Sequence, residues 1–408
     1  MNPLPMVLAD LRAMRWTALA VPLIVALAIG SAIAIAAQER MLRRASAAAA
    51  EDFDLVIGAA GSETQLVMTS VYLDLAALTL ADGRILDSLA ADPRVAAVAP
   101  IAFGDVVSGH PVVGTSAAFA TRWGRIAPAE GRIFAREGEA VVGADVPFGI
   151  GASLVPAHGI AGAGRHDAEE EAKHRHEGTR YEIVGRLPRQ GTPWDRAILV
   201  PIETVWETHG LGNGHREEGT IGPPYTAANV PGVPVVVVKP RGVGEAYGLR
   251  QAYRRDGTVA VFPAEVLVSI YRRLGDVRDV LLVASWLNAI LIFAAVALLV
   301  ALLAGLRRRR YAVLRALGAP PRFILATVWI GATTLVGVGA VAGLGLGWAG
   351  AALVGRLVEA RSGLALAVTP ALSDVVLAGA LGLCGTAVAA LPALLAGRTS
   401  PAAILRGD

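Results

Sequence analysis

The sequence is poor in charge. Asp, Glu, Lys and Arg make up 17% of its 408 residues, where a soluble domain carries nearer ~25%. Hydrophobic residues reach 54% and the mean hydropathy is +0.53, so part of the chain sits in lipid or in an unusually apolar core. Lysine is nearly missing. Lys173 and Lys239 are the only two, and neither follows a glycine. A phosphate-binding P-loop needs Gly-Lys-Ser/Thr after a strand, so the chain does not bind ATP that way. The single cysteine, Cys384, lies in an apolar run; it excludes an internal disulfide framework and a Cys-based zinc site and reads as a small packed hydrophobe. Aromatics are only 5%, too few for base-stacking surfaces. The net charge of +3 does not point to nucleic acid either, because the basic residues gather beside apolar runs, where they act as topology signals. No Gly-x-Ser-x-Gly elbow, no His-Glu-x-x-His helix and no conspicuous carboxylate pair is present, so nothing marks the chain as an enzyme.

What is present is a set of long apolar runs. Four are long enough to span a bilayer, which takes ~20 helical residues: 16–37, 280–306, 323–354 and 375–396, none holding Asp, Glu, Lys or Arg. Ion and proton pathways usually need ionisable groups inside the membrane, and these runs have none. The third run is rich in glycine (Gly331, Gly337, Gly339, Gly343, Gly345, Gly347, Gly350). That is either a close helix-packing face or the ordinary glycine enrichment of membrane helices. Residues 1–15, with Met6, Val7, Leu8, Leu11 and Met14, predict a short amphipathic helix on the membrane surface. The small-residue stretch Ala34-Ile35-Ala36 resembles a signal cleavage site, but the apolar run exceeds the ~7–15 residues of a signal core, so an uncleaved anchor is expected.

Arginine sets the expected orientation. The segment 307–322 holds Arg307, Arg308, Arg309, Arg310, Arg315 and Arg322 with no acid, which places it in the cytoplasm. Both termini follow it there, including the tail 397–408, while 38–279 and the short loop 355–374 lie outside. Arg40, Arg43 and Arg44 just after the first run pull the other way; the later loop decides.

The outer region 38–279 is large enough for its own core. Strands are predicted at 55–57, 140–142, 181–184, 197–200, 233–238 and 259–262, and helices at 63–80, 203–208, 243–255 and 264–274, the last continuing through Asp276 and Asp279 into the second apolar run. The fold class is therefore a membrane α-helical protein with four transmembrane helices and a large α+β extracytoplasmic domain inserted between the first two. The stretch 157–180 is polar and rich in glycine and histidine (His158, His166, His174, His176), mixed with Asp167, Glu169, Glu170, Glu171 and Glu177; His209 and His215 flank a second Gly-rich loop, 210–222. A solvated loop is the plainer reading of the His-rich stretch. The alternative is a metal tract in which His166, His174 and His176 bind zinc, making the protein a membrane-anchored metal-binding sensor or module.

In the basic loop, Arg-Arg-Arg-Tyr-Ala-Val-Leu-Arg-Ala-Leu-Gly-Ala-Pro-Pro-Arg runs from Arg308 to Arg322. The second membrane helix is expected to continue to about Leu317, stop at Gly318, and be barred from continuing by Pro320 and Pro321. The product is either a tight basic turn or a docking knob for a cytoplasmic partner.

Leu314-Arg315-Ala316-Leu317-Gly318-Ala319 resembles the coupling-helix motif of the MacB/FtsX/LolC-type permeases of ABC transporters. The layout of one helix, a large outer domain and three further helices is similar too. So are Asp54 to Ser62, Gly185-Arg186-Leu187 leading to Gly191-Thr192-Pro193-Trp194-Asp195-Arg196-Ala197, and the tail Ser400 to Arg406. Arg310 departs from the pattern, standing where the family often has glutamate. The resemblance implies a non-catalytic permease subunit of the mechanotransmission type in the cytoplasmic (inner) membrane, engaged in export or extrusion and, given the histidines, in a metal-linked system. It implies a cytoplasmic ATPase that binds the ATP, a second permease subunit (identical or different), a periplasmic partner and lipid around the helices. Docking would fall to Arg310, Leu314, Arg315, Ala316, Leu317, Gly318 and Ala319. The outer domain would hold an α/β part and an inserted β-rich subdomain.

Overall fold

The computed structural model describes residues 2–13, 15–158, 178–255 and 257–397. These described residues fall into two compact units, one within 1–42, 273–357 and 366–397, the other within 43–272 and 358–365.

The first unit is helical. Its N-terminal helix α1 (Leu4–Ala13) begins where the Asn2 side chain accepts the Leu4 N–H at 3.0 Å, and α2 (Arg15–Ala50) follows. Among the described residues, three helices are long and apolar enough to cross a membrane: α2 over Ala18–Ala50, Pro321–Ser362, and Leu372–Ala390. The predicted span 280–306 falls on a single 44-residue helix, Pro263–Leu306, many of whose side chains lie outside the described residues. Ala289 and Phe293 of that helix join a core with Val21, Val25, Ile29 and Ile33 of α2, Ala332 and Val336, and Ala378 and Leu381.

The glycine question raised by the third run has a geometric answer. Gly339, Gly343 and Gly347 recur every four residues, on one face of a helix, and all are buried. A Cβ on Gly339 would lie 2.7 Å from Val25 Cβ, one on Gly343 2.9 Å from the Ala26 carbonyl oxygen, and one on Gly347 2.7 Å from Ile33 Cβ. Backbones approach this closely only where side chains are missing. Gly337, Gly345 and Gly350 would meet nothing within 4 Å; they are ordinary helix glycines.

The second unit is built on one sheet. Its described strands are β1 (Leu55–Ala59), β2 (Val95–Val107), β3 (His110–Thr115), β4 (Glu130–Gly131), β5 (Glu139–Val142), β6 (Ser153–Leu154), β7 (Ala157–His158), β8 (Tyr181–Arg186), β9 (Ile198–Pro201), β10 (Val235–Pro240) and β11 (Thr258–Val261). The order is β11-β1-β10-β2-β3-β9-β5-β8-β4, with β6 on β8 and β7 on β2. The β3–β9 and β5–β8 pairs are parallel and the others antiparallel. Continuous apolar runs make the central strands: Leu55, Val56 and Ile57, and Val235 to Val238, are all buried, as expected of strands covered on both faces. Every strand on either side of residues 159–177 joins this one sheet.

All six predicted strands are present. The 13-residue β2 was not expected, because Val-Ala-Ala-Val-Ala-Pro-Ile-Ala-Phe-Gly-Asp is rich in weak strand formers; its pairing with β10 and β3 overrides the local preference. The predicted helix 63–80 is shorter, α3 (Glu63–Tyr72). Ser62 caps its start by accepting the Gln65 N–H at 3.2 Å, and Leu73 ends it in the left-handed region at φ 54°. Two short helices, α4 (Arg84–Ala91) and α5 (Ala117–Ala120), were not foreseen. The helices α6 (Ile202–Thr208) and α7 (Val243–Ala252) fall where predicted.

The motif 191–197 is a structural hub. Trp194 is 1% exposed and donates its indole N–H to the Val71 carbonyl at 3.2 Å. Asp195 accepts the N–H groups of Gln190 and Gly191 at 2.9 and 2.6 Å. The Arg122 guanidinium lies over the Trp194 ring, 4.4 Å from its centre, and pairs with Asp52 at 3.1 Å. Burial pushes Arg122 down to about 9, so it stays charged at neutral pH. Residues 358–365 close over this hub: the Ala365 N–H donates to Gly191 at 3.0 Å, and Arg189 pairs with Glu359 at 2.9 Å.

Candidate partner-docking elbow

The helix Pro263–Leu306, here α8, ends at the threshold of the basic segment, well short of the Leu317 expected from the sequence. Arg307 turns at φ −99°, ψ 4°, and a separate helix α9 (Arg308–Ala316) begins. The unbroken run to Leu317 expected from the sequence is therefore divided. The Arg307 carbonyl still accepts the Tyr311 N–H at 3.1 Å, and its guanidinium pairs with Asp10 of α1, which anchors the break.

The end of α9 is set by Gly318. At φ +96° it occupies backbone space that costs other residues energy. The Gly318 N–H donates to Arg315 and the Ala319 N–H to Leu314, both at 3.0 Å. This crossed pair is the Schellman termination, which satisfies the carbonyls left over at a helix end. Pro320 follows, Pro321 opens the next helix, α10 (Pro321–Ser362), and the last helix is α11 (Leu372–Gly397).

The elbow has an inner and an outer side. Tyr311, Ala312 and Ala319 are buried. Burial raises the Tyr311 hydroxyl above its ordinary value, with the Asp10 carboxylate adding to the effect. Arg309, Arg310, Val313, Ala316, Leu317 and Gly318 are exposed, and Leu314 and Arg315 are partly so. Leu317 is 80% exposed and Val313 47%. Of the residues expected to dock a partner, only Ala319 faces inward. What remains outside is an apolar tip, Leu317, on a segment whose exposed residues include Arg309 and Arg310.

Residues 282–401 match the family described as FtsX-like permease C-terminal. The chain carries an FtsX-like permease domain. Its match takes in α9, α10 and α11, so the elbow lies inside the FtsX-like part. Among solved structures, the chain is similar to the periplasmic region of MacB from Actinobacillus actinomycetemcomitans, at 10% identity and a TM-score of 0.32, over 54% of this chain and 94% of that one. It is also similar to the extracellular domain of the noncanonic ABC-type transporter YknZ from Gram-positive bacteria, at 11% identity and a TM-score of 0.31, over 51% of this chain and 98% of that one. No curated protein matches the sequence.

Of the histidines proposed to hold zinc, His166, His174 and His176 lie outside the described residues. Four others are described. His110 Nδ1 is 3.0 Å from the Arg196 carbonyl oxygen, and His215 pairs with Glu203 at 3.4 Å. His158 and His209 come together instead, on Asp105. The sequence pattern puts His158 in a polar loop and His209 at the edge of another, and nothing in the local pattern of β2 marks Asp105.

Proposed function

We propose that this chain is the permease subunit of an ABC transporter, and that it docks a separate cytoplasmic ATPase through the elbow 307–322. The observation that carries the reading is Leu317, a large apolar side chain left 80% exposed at the tip of a helix whose end is closed by Gly318. Exposed apolar tips on a charged segment suit insertion into a partner's groove. The FtsX-like match supports the permease part.

In this reading the chain is a multi-pass protein of the cytoplasmic membrane with both termini in the cytoplasm, as the arginines of 307–322 favour. The spans are 16–37, 280–306, 323–354 and 375–396. A second permease subunit pairs with it in the bilayer. ATP is hydrolysed in the partner, and helix motion is passed on to the 38–279 domain, which acts on a periplasmic partner. In sequence, the 38–279 region leads into the span 280–306 through the helix Pro263–Leu306.

The test is gentle purification of the tagged full chain from its native membrane, with mass spectrometry of what accompanies it. A stoichiometric P-loop ATPase, lost in Leu317→Asp and Gly318→Ala while the chain itself remains folded, is the expected result. A preparation without an ATPase, under conditions that keep other membrane complexes intact, overturns the reading.

A further inference from the structure

β2 carries a bulge at Gly104. Phe103 pairs with Val113 and Asp105 with Val112, so Gly104 has no cross-strand partner of its own. A bulge re-aims the side chain beside it, and Asp105, only 1% exposed, meets two histidines from separate elements. His158 lies opposite it on β7, with Nδ1 3.3 Å from Asp105 Oδ1. His209, which closes α6, brings Nε2 to 3.8 Å from the same oxygen. The two imidazole centres are 5.2 Å apart. One ligand atom from each of the three residues falls within 4.8 Å of the others.

His209 is oriented for coordination. Its Nδ1 lies 2.8 Å from the Val205 carbonyl oxygen. A carbonyl only accepts, so Nδ1 carries the proton, and in the neutral ring Nε2 offers its lone pair. That nitrogen faces the Asp105 carboxylate oxygen at 3.8 Å. A ring nitrogen held by a backbone carbonyl is also how metal-ligating histidines are usually fixed. Gly104 keeps the space open, since a Cβ there would stand 3.2 Å from His209 Nε2.

We propose that Asp105, His158 and His209 form a binding site for a divalent transition-metal ion of the zinc type. Tetrahedral bonds of about 2.0–2.2 Å place donor atoms roughly 3.3–3.6 Å apart; the two histidine nitrogens lie 3.3 and 3.8 Å from the Asp105 oxygen and within 4.8 Å of each other, so a bound ion would draw the two rings together. Two imidazoles and one carboxylate suit zinc, cobalt or nickel; calcium and magnesium require more oxygen ligands. Three protein ligands leave a fourth position for water or for a group brought by another molecule. The proposal uses none of His166, His174 and His176, and it does not depend on the docking of an ATPase.

The test uses the full chain in detergent, purified with a tag free of histidine, and titrated with Co²⁺ alone and then with Zn²⁺. The expected result is one Co²⁺ site with visible ligand-field absorption, displaced by Zn²⁺. It should weaken at least about tenfold in Asp105→Asn and in His209→Ala, and survive in the combined His166→Ala, His174→Ala, His176→Ala variant. His158→Ala, at an exposed side chain, guards against misfolding, and thermal unfolding of each variant is measured alongside. Unchanged Co²⁺ affinity in both His158→Ala and His209→Ala overturns the proposal. So does loss of the whole signal in the triple variant.

Discussion

Arg40 and Asp374 stand 334 positions apart in the chain, and one guanidinium nitrogen of Arg40 donates to both carboxylate oxygens, at 2.7 and 2.8 Å. Asp374 is 1% exposed and also receives the Trp348 indole N–H at 3.0 Å and the Ala371 N–H at 3.2 Å. The pair ties α2 to the start of α11. It also bears on the local conflict in the arginine pattern: Arg40, which follows the first span, has its charge matched within the unit.

Breaking this pair leaves a buried carboxylate without its counter-charge. Arg40→Ala is expected to destabilise the helical unit by about 3 kcal/mol, and Arg40→Ala combined with Asp374→Asn by less than that. Thermal unfolding of the three variants in detergent, analysed as a double-mutant cycle, checks this.

The glycine face of α10 discriminates between neighbours in sequence. Gly343→Ala places a Cβ 2.9 Å from the Ala26 carbonyl and should cost about 1–3 kcal/mol through forced backbone shifts. Gly345→Ala, with nothing within 4 Å, should leave stability unchanged or slightly raised. Unfolding midpoints of the two variants should differ by several degrees, with Gly343→Ala the lower.

Gly318 holds the elbow's end at φ +96°. Gly318→Ala is expected to cost about 1 kcal/mol locally, and Gly318→Asn less, because Asn tolerates left-handed backbone. Hydrogen exchange at the amides of Gly318 and Ala319, which donate to Arg315 and Leu314, should quicken most in the alanine variant.

Glu137 in the sheet unit is raised to about 7, by burial first and then by Glu207, Glu203 and Glu218. The unfolded chain gives up this proton near pH 4.5 while the folded chain keeps it. Stability from this group is therefore full below about pH 4.5 and falls as pH rises towards 7. Glu137→Gln should flatten that decline and raise stability at pH 8 by ~1 kcal/mol, a figure reduced for solvent screening. Chemical denaturation at pH 5 and pH 8 measures the difference.

The legible parts of this protein are those encoded by neighbours in the chain. Val235 to Val238 read as a buried strand because four β-branched residues in a row admit little else. Leu314 to Pro321 read as a terminated helix because glycine and proline act on their own backbone. The break at Arg307 was not legible: no glycine or proline marks it, and its anchor, Asp10, lies on another helix. β2 was hidden for a related reason, since its alanines, Pro100 and Gly104 form a strand only once β10 and β3 hold them.

The sequence by itself determined the apolar runs, the arginine-rich elbow and its stop, since lipid solubility, charge and backbone freedom are properties of short segments. Only the tertiary structure decided which glycines touch α2, that Arg40 meets Asp374, and that Asp105, His158 and His209 converge. Those relationships depend on sheet register, on the bulge at Gly104 and on helix packing, which are set by contacts between residues far apart in the chain.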